Sequence, residues 1–227
     1  MTRIIQGVFD FQQRVFASKR GLYESLRDGQ QPLALFITCA DSRIDPNLLT
    51  QTEPGELFVL RNAGNFVPPA EAPVNGEGAT IEYAVRQLHV RDIILCGHSR
   101  CGAMQGLASP DAVAELPHVR GWLNLGRESV DRARQLAPYA EGAELLQRIV
   151  EQNVLVQMQN LQTYSAVRDS ALAGRLRLHA WVYEIENGLV TGYDPESKRF
   201  VPLVQSPREK LLVPVPHGSP CVVSCEM

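Results

Sequence analysis

The chain reads as an α/β fold: a mostly parallel central β-sheet flanked by helices, with an N-terminal helical arm and a C-terminal hairpin extension. Three observations lead there. Short unalternating apolar runs recur at "PLALFIT" (32–38), "ELFVL" (56–60) and "DIILC" (92–96), as central strands covered on both faces require. Between the second and third runs, "GEGATIEYAVRQL" (76–88) switches to helical spacing, with Ile81, Ala84, Val85 and Leu88 inward. Late in the chain, "LHAWVYEI" (178–185) and "LVTGYD" flank Asn187-Gly188, a dipeptide suited to a tight hairpin turn.

The remaining elements follow in order. Residues 4–28 carry Ile4, Ile5, Val8, Phe9, Val15, Phe16, Leu22 and Leu26 at roughly helical spacing. Such a helix either packs on its own core or docks on another subunit. The strand–helix–strand–helix–strand order then sets up the parallel sheet. After Cys101, "GAMQGLA" reads as a short helix, and residues 117–136 and 142–171 as longer ones. The second of these places Leu146, Ile149, Val150, Val154, Met158 and Leu161 on one face. Residues 1–204 make one domain, with 1–30 as its helical arm. Residues 205–227 hold four prolines and little periodicity, and read as a tail that crosses a neighbouring surface or is loose.

Composition narrows the function classes. The net charge is −3 and the pI about 6.0, with 44% hydrophobic and 21% charged residues, over 227 residues. That describes an ordinary globular chain without the basic surplus of a nucleic-acid or anionic-membrane binder. No apolar run approaches the roughly 20 residues of a membrane helix, and "MTRIIQGVFDFQQ" lacks a secretory pattern. The expectation is a cytosolic protein. Five cysteines spread over the chain are no disulfide framework, which leaves core thiols or metal and catalytic thiols.

In an open α/β sheet, sites form where strands end at their carboxyl side. One exit is "FITCADSRID", with Cys39, Asp41 and Arg43. The other is "ILCGHSRCGAM", with His98 and Cys101. Two thiolates and an imidazole suit Zn²⁺, and three protein ligands match the catalytic pattern. Plainer readings stand beside this. A cysteine at a strand end is usually a small core residue. Cys96 is a rival ligand by spacing, although its apolar run favours the core. Asp41 and Arg43 read equally as a surface ion pair of little worth. Cys221 and Cys225, spaced C-x-x-x-C in the tail, form a weak second pair.

Together "CADSR", "EPGELFVLRNAGN", "GATIEYAV" and "CGHSRCGAM" resemble the β-class carbonic anhydrases. "LQTYSAVRDSALAGRLRLHAWVYEIENG" is similar to the later half of the bacterial cyanate-associated and cyanobacterial branches of that class. The resemblance covers residues 1–204. It joins C-x-D-x-R to H-x-x-C, here with 59 residues from Cys39 to His98.

The resemblance implies zinc-dependent, reversible hydration of carbon dioxide to bicarbonate and a proton, by attack of zinc-bound hydroxide. It implies Cys39, His98 and Cys101 as zinc ligands and Asp41 and Arg43 as a catalytic dyad. Gln30, Phe58, Ala63, Tyr83 and the backbone N–H of Gly102 are the implied substrate-binding groups, some of them across a dimer interface. The implied assembly is a homodimer or a higher even homo-oligomer. The branch of the class that closes its site with the aspartate uses a tryptophan and a glycine where this chain has Phe36 and Thr38. An open site with the Asp41–Arg43 pair intact is therefore expected. No histidine is marked as a proton shuttle, and His179 reads as structural. Two alternatives stay open on the same scaffold. One is hydrolysis of carbonyl sulfide or carbon disulfide. The other is a non-catalytic zinc subunit. The location implied is the cytoplasm, or a carbon-fixing microcompartment where 205–227 would meet a carboxysome-type scaffold partner.

Overall fold

The computed structural model describes residues 2–203 and 211–216. The chain divides into two compact units at Gln31/Pro32. The first unit is helical. Helix α1 (Thr2–Asp10) runs through a π-helical turn, Phe11–Val15, into α2 (Phe16–Ser18). A break at Lys19 precedes α3 (Arg20–Ser25). Phe16 and Tyr23 stack at 5.2 Å across that break, with Phe11 edge-on to Tyr23. None of the residues of α1 is buried, and Ile4, Ile5, Val8 and Phe9 are all at least half exposed. The apolar stripe expected over 4–28 thus exists, ends at Ser25 and covers no core of its own.

The second unit holds a six-stranded sheet. Its elements run β1 (Ala34–Cys39), α4 (Pro46–Thr50), β2 (Leu57–Asn62), α5 (Gly76–Glu82), β3 (Asp92–His98) and α6 (Gly102–Ala108). They continue as α7 (Pro117–Leu123), α8 (Arg127–Leu136), α9 (Gly142–Thr163), α10 (Ser165–Leu172), β4 (Arg177–Tyr183), β5 (Val190–Asp194) and β6 (Arg199–Pro202). The spatial order is β2-β1-β3-β4-β5-β6. β2, β1, β3 and β4 are parallel, and β5 and β6 turn back antiparallel.

Three of the three expected parallel runs are strands, with one correction of place. "ELFVL" is not a central strand covered on both faces. β2 is the edge of the sheet among the described residues. Phe58 and Leu60 turn toward the core, while Val59 is 37% exposed. The single helices expected over 117–136 and 142–171 are each two. A 3₁₀ turn over Asn124–Gly126 separates α7 from α8, and Tyr164, in extended geometry, separates α9 from α10. The hairpin lies where Asn187-Gly188 predicts it, but its loop spans 184–189 rather than two residues. Gly188, at φ +75°, donates its N–H to Glu184 O at 2.9 Å, and Glu184 N–H reaches Leu189 O at 2.8 Å. Residues 211–213 are not free of the domain. Leu212 bridges His179 and the N–H of Val213 donates to Leu178 O at 2.9 Å, which extends the sheet beside β4. Residues 205–210 and 217–227 of the expected tail, with His217, Cys221 and Cys225, lie outside the described residues.

The sheet separates two apolar layers. Leu35, Ile37, Ile93 and Leu95 face helices α5 to α10, with Ile149, Val150, Val154, Met158 and Leu161 of α9 as the largest contribution. Ala34, Phe36, Ile94 and Cys96 face the other way, against Leu49, Leu57 and Trp181. The alternation follows from the two-residue period of a strand. No helix among the described residues is long and apolar enough to cross a membrane.

Helix α9 approaches β3 closely at Gly97, where a Cβ would stand 2.8 Å from Val154 Cγ2 and 3.3 Å from Val150 Cγ1. Valine is stiff about χ1 and cannot swing clear. Gly97→Ala is therefore expected to overpack this contact and destabilise the fold by about 1–3 kcal/mol, read as a lower midpoint of urea unfolding.

Candidate active site

The first two candidate residues are placed by strand pairing. β1 pairs with β3 in register through Thr38↔Cys96, so Cys39 and His98 emerge side by side at the carboxyl edge. The connections leave these two strands in opposite directions, to β2 and toward β4. That makes a topological switch point, where open sheets carry their sites. Cys101 follows as the residue capping the start of α6. The Sγ of Cys39, the Sγ of Cys101 and a ring nitrogen of His98 all lie within 4.8 Å of one another. They are almost wholly buried, at 5%, 1% and 0% exposure for Cys39, Cys101 and His98.

Each donor is prepared by its surroundings. The Nδ1 of His98 lies 2.9 Å from Ser99 O. Because a carbonyl only accepts, Nδ1 carries the hydrogen and Nε2 presents its lone pair. That Nε2 is buried and has no hydrogen-bond partner. The two sulfurs are 3.9 Å apart, and Gly64 N–H donates to Cys39 Sγ at 3.3 Å. The Cys101 S–H, above all, brings Cys39 down to about 4, while that same contact and burial push Cys101 well up. Of the two thiols, Cys39 is therefore the readier to ionise. Cys96 is not part of the group. It packs in the opposite apolar layer, its Sγ 3.4 Å from Gly97 O, and burial pushes its thiol far up.

Asp41 and Arg43 form a closed pair. Arg43 Nε and backbone N–H both donate to Asp41 Oδ1 at 2.9 Å, and Arg43 Nη2 donates to Oδ2 at 2.7 Å. The guanidinium, first of all, holds the Asp41 carboxyl well below the usual carboxylate range. Asp41 Oδ2 lies 3.8 Å from His98 Nε2, so the pair faces the donor group.

The other candidates divide. Ala63 adjoins Gly64, and its carbonyl accepts from Trp122 Nε1 at 2.8 Å. Gly102 opens α6 beside Cys101. Phe58 is elsewhere. It pairs with Leu35, whereas Asn62 pairs with Cys39. Four residues along a parallel strand put it roughly 13 Å from the level of Cys39. Tyr83 accompanies Phe58, ring centroids 6.1 Å apart. Gln30 belongs to the first unit, beyond α3. His179 is tied to Asp92, Nε2 to Oδ1 at 2.7 Å, near the amino-terminal edge of the sheet where β3 begins.

Sequence reasoning missed the groups that hold these loops. Arg61 donates to the carbonyls of Cys39, Asp41 and Ile44 at 3.1, 2.7 and 2.9 Å. Gln157 accepts from Val67 N–H at 2.9 Å, and Asn153 donates to Gly64 O at 3.0 Å. A signal existed for the last two. Both are polar residues on the inward face of α9, with 1% and 0% exposure for Asn153 and Gln157, and a buried polar side chain needs a partner.

Comparison with known proteins agrees with this geometry. A family model described as carbonic anhydrase matches residues 34–190. A carbonic anhydrase of Synechocystis sp. is 46% identical over 88% of this chain and 74% of its own length. One of Pseudomonas aeruginosa is 45% identical over 91% of this chain and 94% of its own. The solved β-carbonic anhydrase CcaA superposes with a TM-score of 0.87 at 44% identity, covering 92% of this chain and 93% of that one. With the six-stranded sheet, the cysteine and histidine donors at its switch point and these likenesses together, the chain belongs to the carbonic anhydrase family, in its β-class, and is an enzyme of that kind.

Proposed function

We propose that the protein catalyses the reversible hydration of carbon dioxide to bicarbonate and a proton, using a zinc ion held by Cys39, His98 and Cys101. The observation that carries this reading is a buried S, S, N donor group beside a carboxylate kept ionised by an arginine. The group fits zinc. Two sulfurs each about 2.3 Å from one tetrahedral zinc stand about 3.8 Å apart, and here the separation is 3.9 Å. The unpartnered Nε2 of His98 supplies the third donor. When bound, zinc supplies a coordinated water acidic enough to lose its proton near neutral pH.

The chain's own groups orient the reaction. Asp41 accepts a hydrogen bond at Oδ2, the oxygen nearest His98, and so aims the attacking oxygen's lone pair at the substrate. Held ionised, it accepts and does not donate. Arg43 grips both oxygens, so Asp41 turns only by breaking three bonds. Gly102 N–H and Gln30 are assigned to the oxygens of substrate or bicarbonate, and Phe58, Ala63 and Tyr83 to the apolar wall. On its own strand Phe58 is too far from Cys39 to serve the same site. This reading therefore takes Phe58 and Tyr83 from a second copy, which supports an even-numbered homo-oligomer. Two β-carbonic anhydrases from Sordaria macrospora, one of them 28% identical with a TM-score of 0.70, are described as tetrameric.

Cys39→Ala, His98→Ala and Cys101→Ala are each expected to abolish zinc retention and carbon dioxide hydration, measured by metal analysis and stopped flow. Cys96→Ser retains both. Asp41→Asn keeps zinc and loses roughly 10²-fold or more in kcat. Hydrolysis of carbonyl sulfide by a wild-type protein that leaves carbon dioxide untouched would replace the reading.

Metal uptake is also linked to protons. The Cys101 contact lowers the pKa of the Cys39 thiol, while that contact and burial raise that of Cys101, and zinc needs both thiolates. Zinc added to metal-free protein at neutral pH is expected to release protons, at least from Cys101, seen with a pH indicator. The metal-free protein is expected to keep a thiolate ultraviolet band at pH values below the ordinary cysteine range, because the pKa of the Cys39 thiol is lowered, and Cys39→Ser to lack it.

A further inference from the structure

Between the ligands His98 and Cys101 lie Ser99 and Arg100, and one carboxylate from the β4–β5 loop holds both. Ser99 Oγ donates to Glu186 Oε2 at 2.7 Å, and Arg100 Nε donates to Glu186 Oε1. The hairpin ties in twice more, through Ile185 N–H of the loop to Ser99 Oγ at 3.0 Å and Ser99 N–H to Tyr183 O at the end of β4 at 2.8 Å.

Each of the two residues so held turns its carbonyl onto a group of the site. Ser99 O accepts from His98 Nδ1 at 2.9 Å. Arg100 O accepts from Arg43 Nη2 at 3.1 Å and from Gln105 Nε2 at 3.3 Å. Arg100 also sits at φ +54°, a conformation that a long side chain keeps only where its surroundings hold it.

We propose that Glu186 is a positioning residue for the active site: by fixing Ser99 and Arg100 it sets the imidazole of His98 and the guanidinium of Arg43 together. The inference rests on the zinc reading of Cys39, His98 and Cys101 given above. An exposed ion pair such as Arg100–Glu186, with side chains 63% and 44% exposed, is worth little to stability by itself. What distinguishes this one is that both of its carboxylate oxygens are used on the loop between two ligands. Ser99 is 6% exposed, so its hydroxyl needs the partner that Glu186 provides. The Ser99 hydroxyl first, and then the Arg100 guanidinium, hold the Glu186 carboxyl down to about 2, so it stays charged over any working pH. Its charge also reaches Arg43, which it helps keep protonated. Groups that orient a metal ligand from behind typically change metal affinity or activity by roughly 10–100-fold when removed.

The test compares wild type, Glu186→Ala, Glu186→Gln and Arg100→Ala by zinc release to a chelator, by kcat and KM for carbon dioxide hydration, and by melting temperature. Glu186→Ala is expected to release zinc roughly tenfold faster or more and to lose kcat with KM little changed. Glu186→Gln still accepts from Ser99 through its amide oxygen, so it recovers zinc retention but not kcat. Arg100→Ala keeps zinc and lowers kcat, and provides the same reading through the other partner if Glu186→Ala fails to fold. A wild type that holds zinc, with a Glu186→Ala variant matching it in zinc release and kcat, overturns the inference alone, whatever its melting temperature. A wild type that takes up no zinc overturns the reading of the site and this inference with it.

Discussion

Everything at the site depends on the pairing of β1 with β3. Their parallel register carries Thr38 opposite Cys96 and so ends both strands at one level. Cys39 and His98, 59 positions apart in the chain, are thereby neighbours without any flexible link. A slip of one residue would turn Cys39 to the opposite face of the sheet. The slip is resisted by burial on both sides, since Leu35 and Ile37 fill one apolar layer and Phe36 the other. The core thus does more than stabilise: it specifies which side chains meet.

Burial of the donors sets up a conflict that gives the site its chemistry. Taking a thiolate out of water is costly unless it is hydrogen-bonded or paired. Cys39 meets part of that cost through Cys101 and the Gly64 N–H. His98 leaves one nitrogen with no partner in a buried place. An arrangement of soft and borderline donors, near one another and short of partners, is favourable mainly when a cation completes it. Asp41 resolves its own burial differently. It spends its acceptor positions on Arg43, and so remains an ionised group facing the donors rather than one of them.

Around these few atoms, the loops are held from far away in the sequence. Arg61 on the edge strand binds three carbonyls of the 39–44 loop. Asn153 and Gln157 on α9 hold the 64–67 loop. Glu186 holds 99–100 from the antiparallel hairpin. Strand ends alone would place the side chains to within the freedom of a loop, and these ties remove that freedom. Holding reactive groups near their working geometry before substrate arrives is where much of an enzyme's rate originates.

The sequence by itself determined β1 to β5, the inward faces of α5 and α9, and the two exits carrying Cys39, Asp41, Arg43, His98 and Cys101, but left β6 unmarked. These are local patterns, because a period of two or 3.6 residues and a residue type at a strand end are written in consecutive positions. Spacing alone left Cys96 as a rival to the other cysteines, and only the sheet decided against it, by turning that thiol into the opposite apolar layer. The tertiary structure also decided that β2 is an edge, that Phe58 sits far along its strand from Cys39, that residues 211–213 join the sheet, and that Arg61 and Glu186 hold the 39–44 and 99–100 segments. Each of these rests on a strand, a side chain or a short segment meeting groups distant in the chain. Such a meeting has no period and leaves no local mark; it exists only once the strands have been placed.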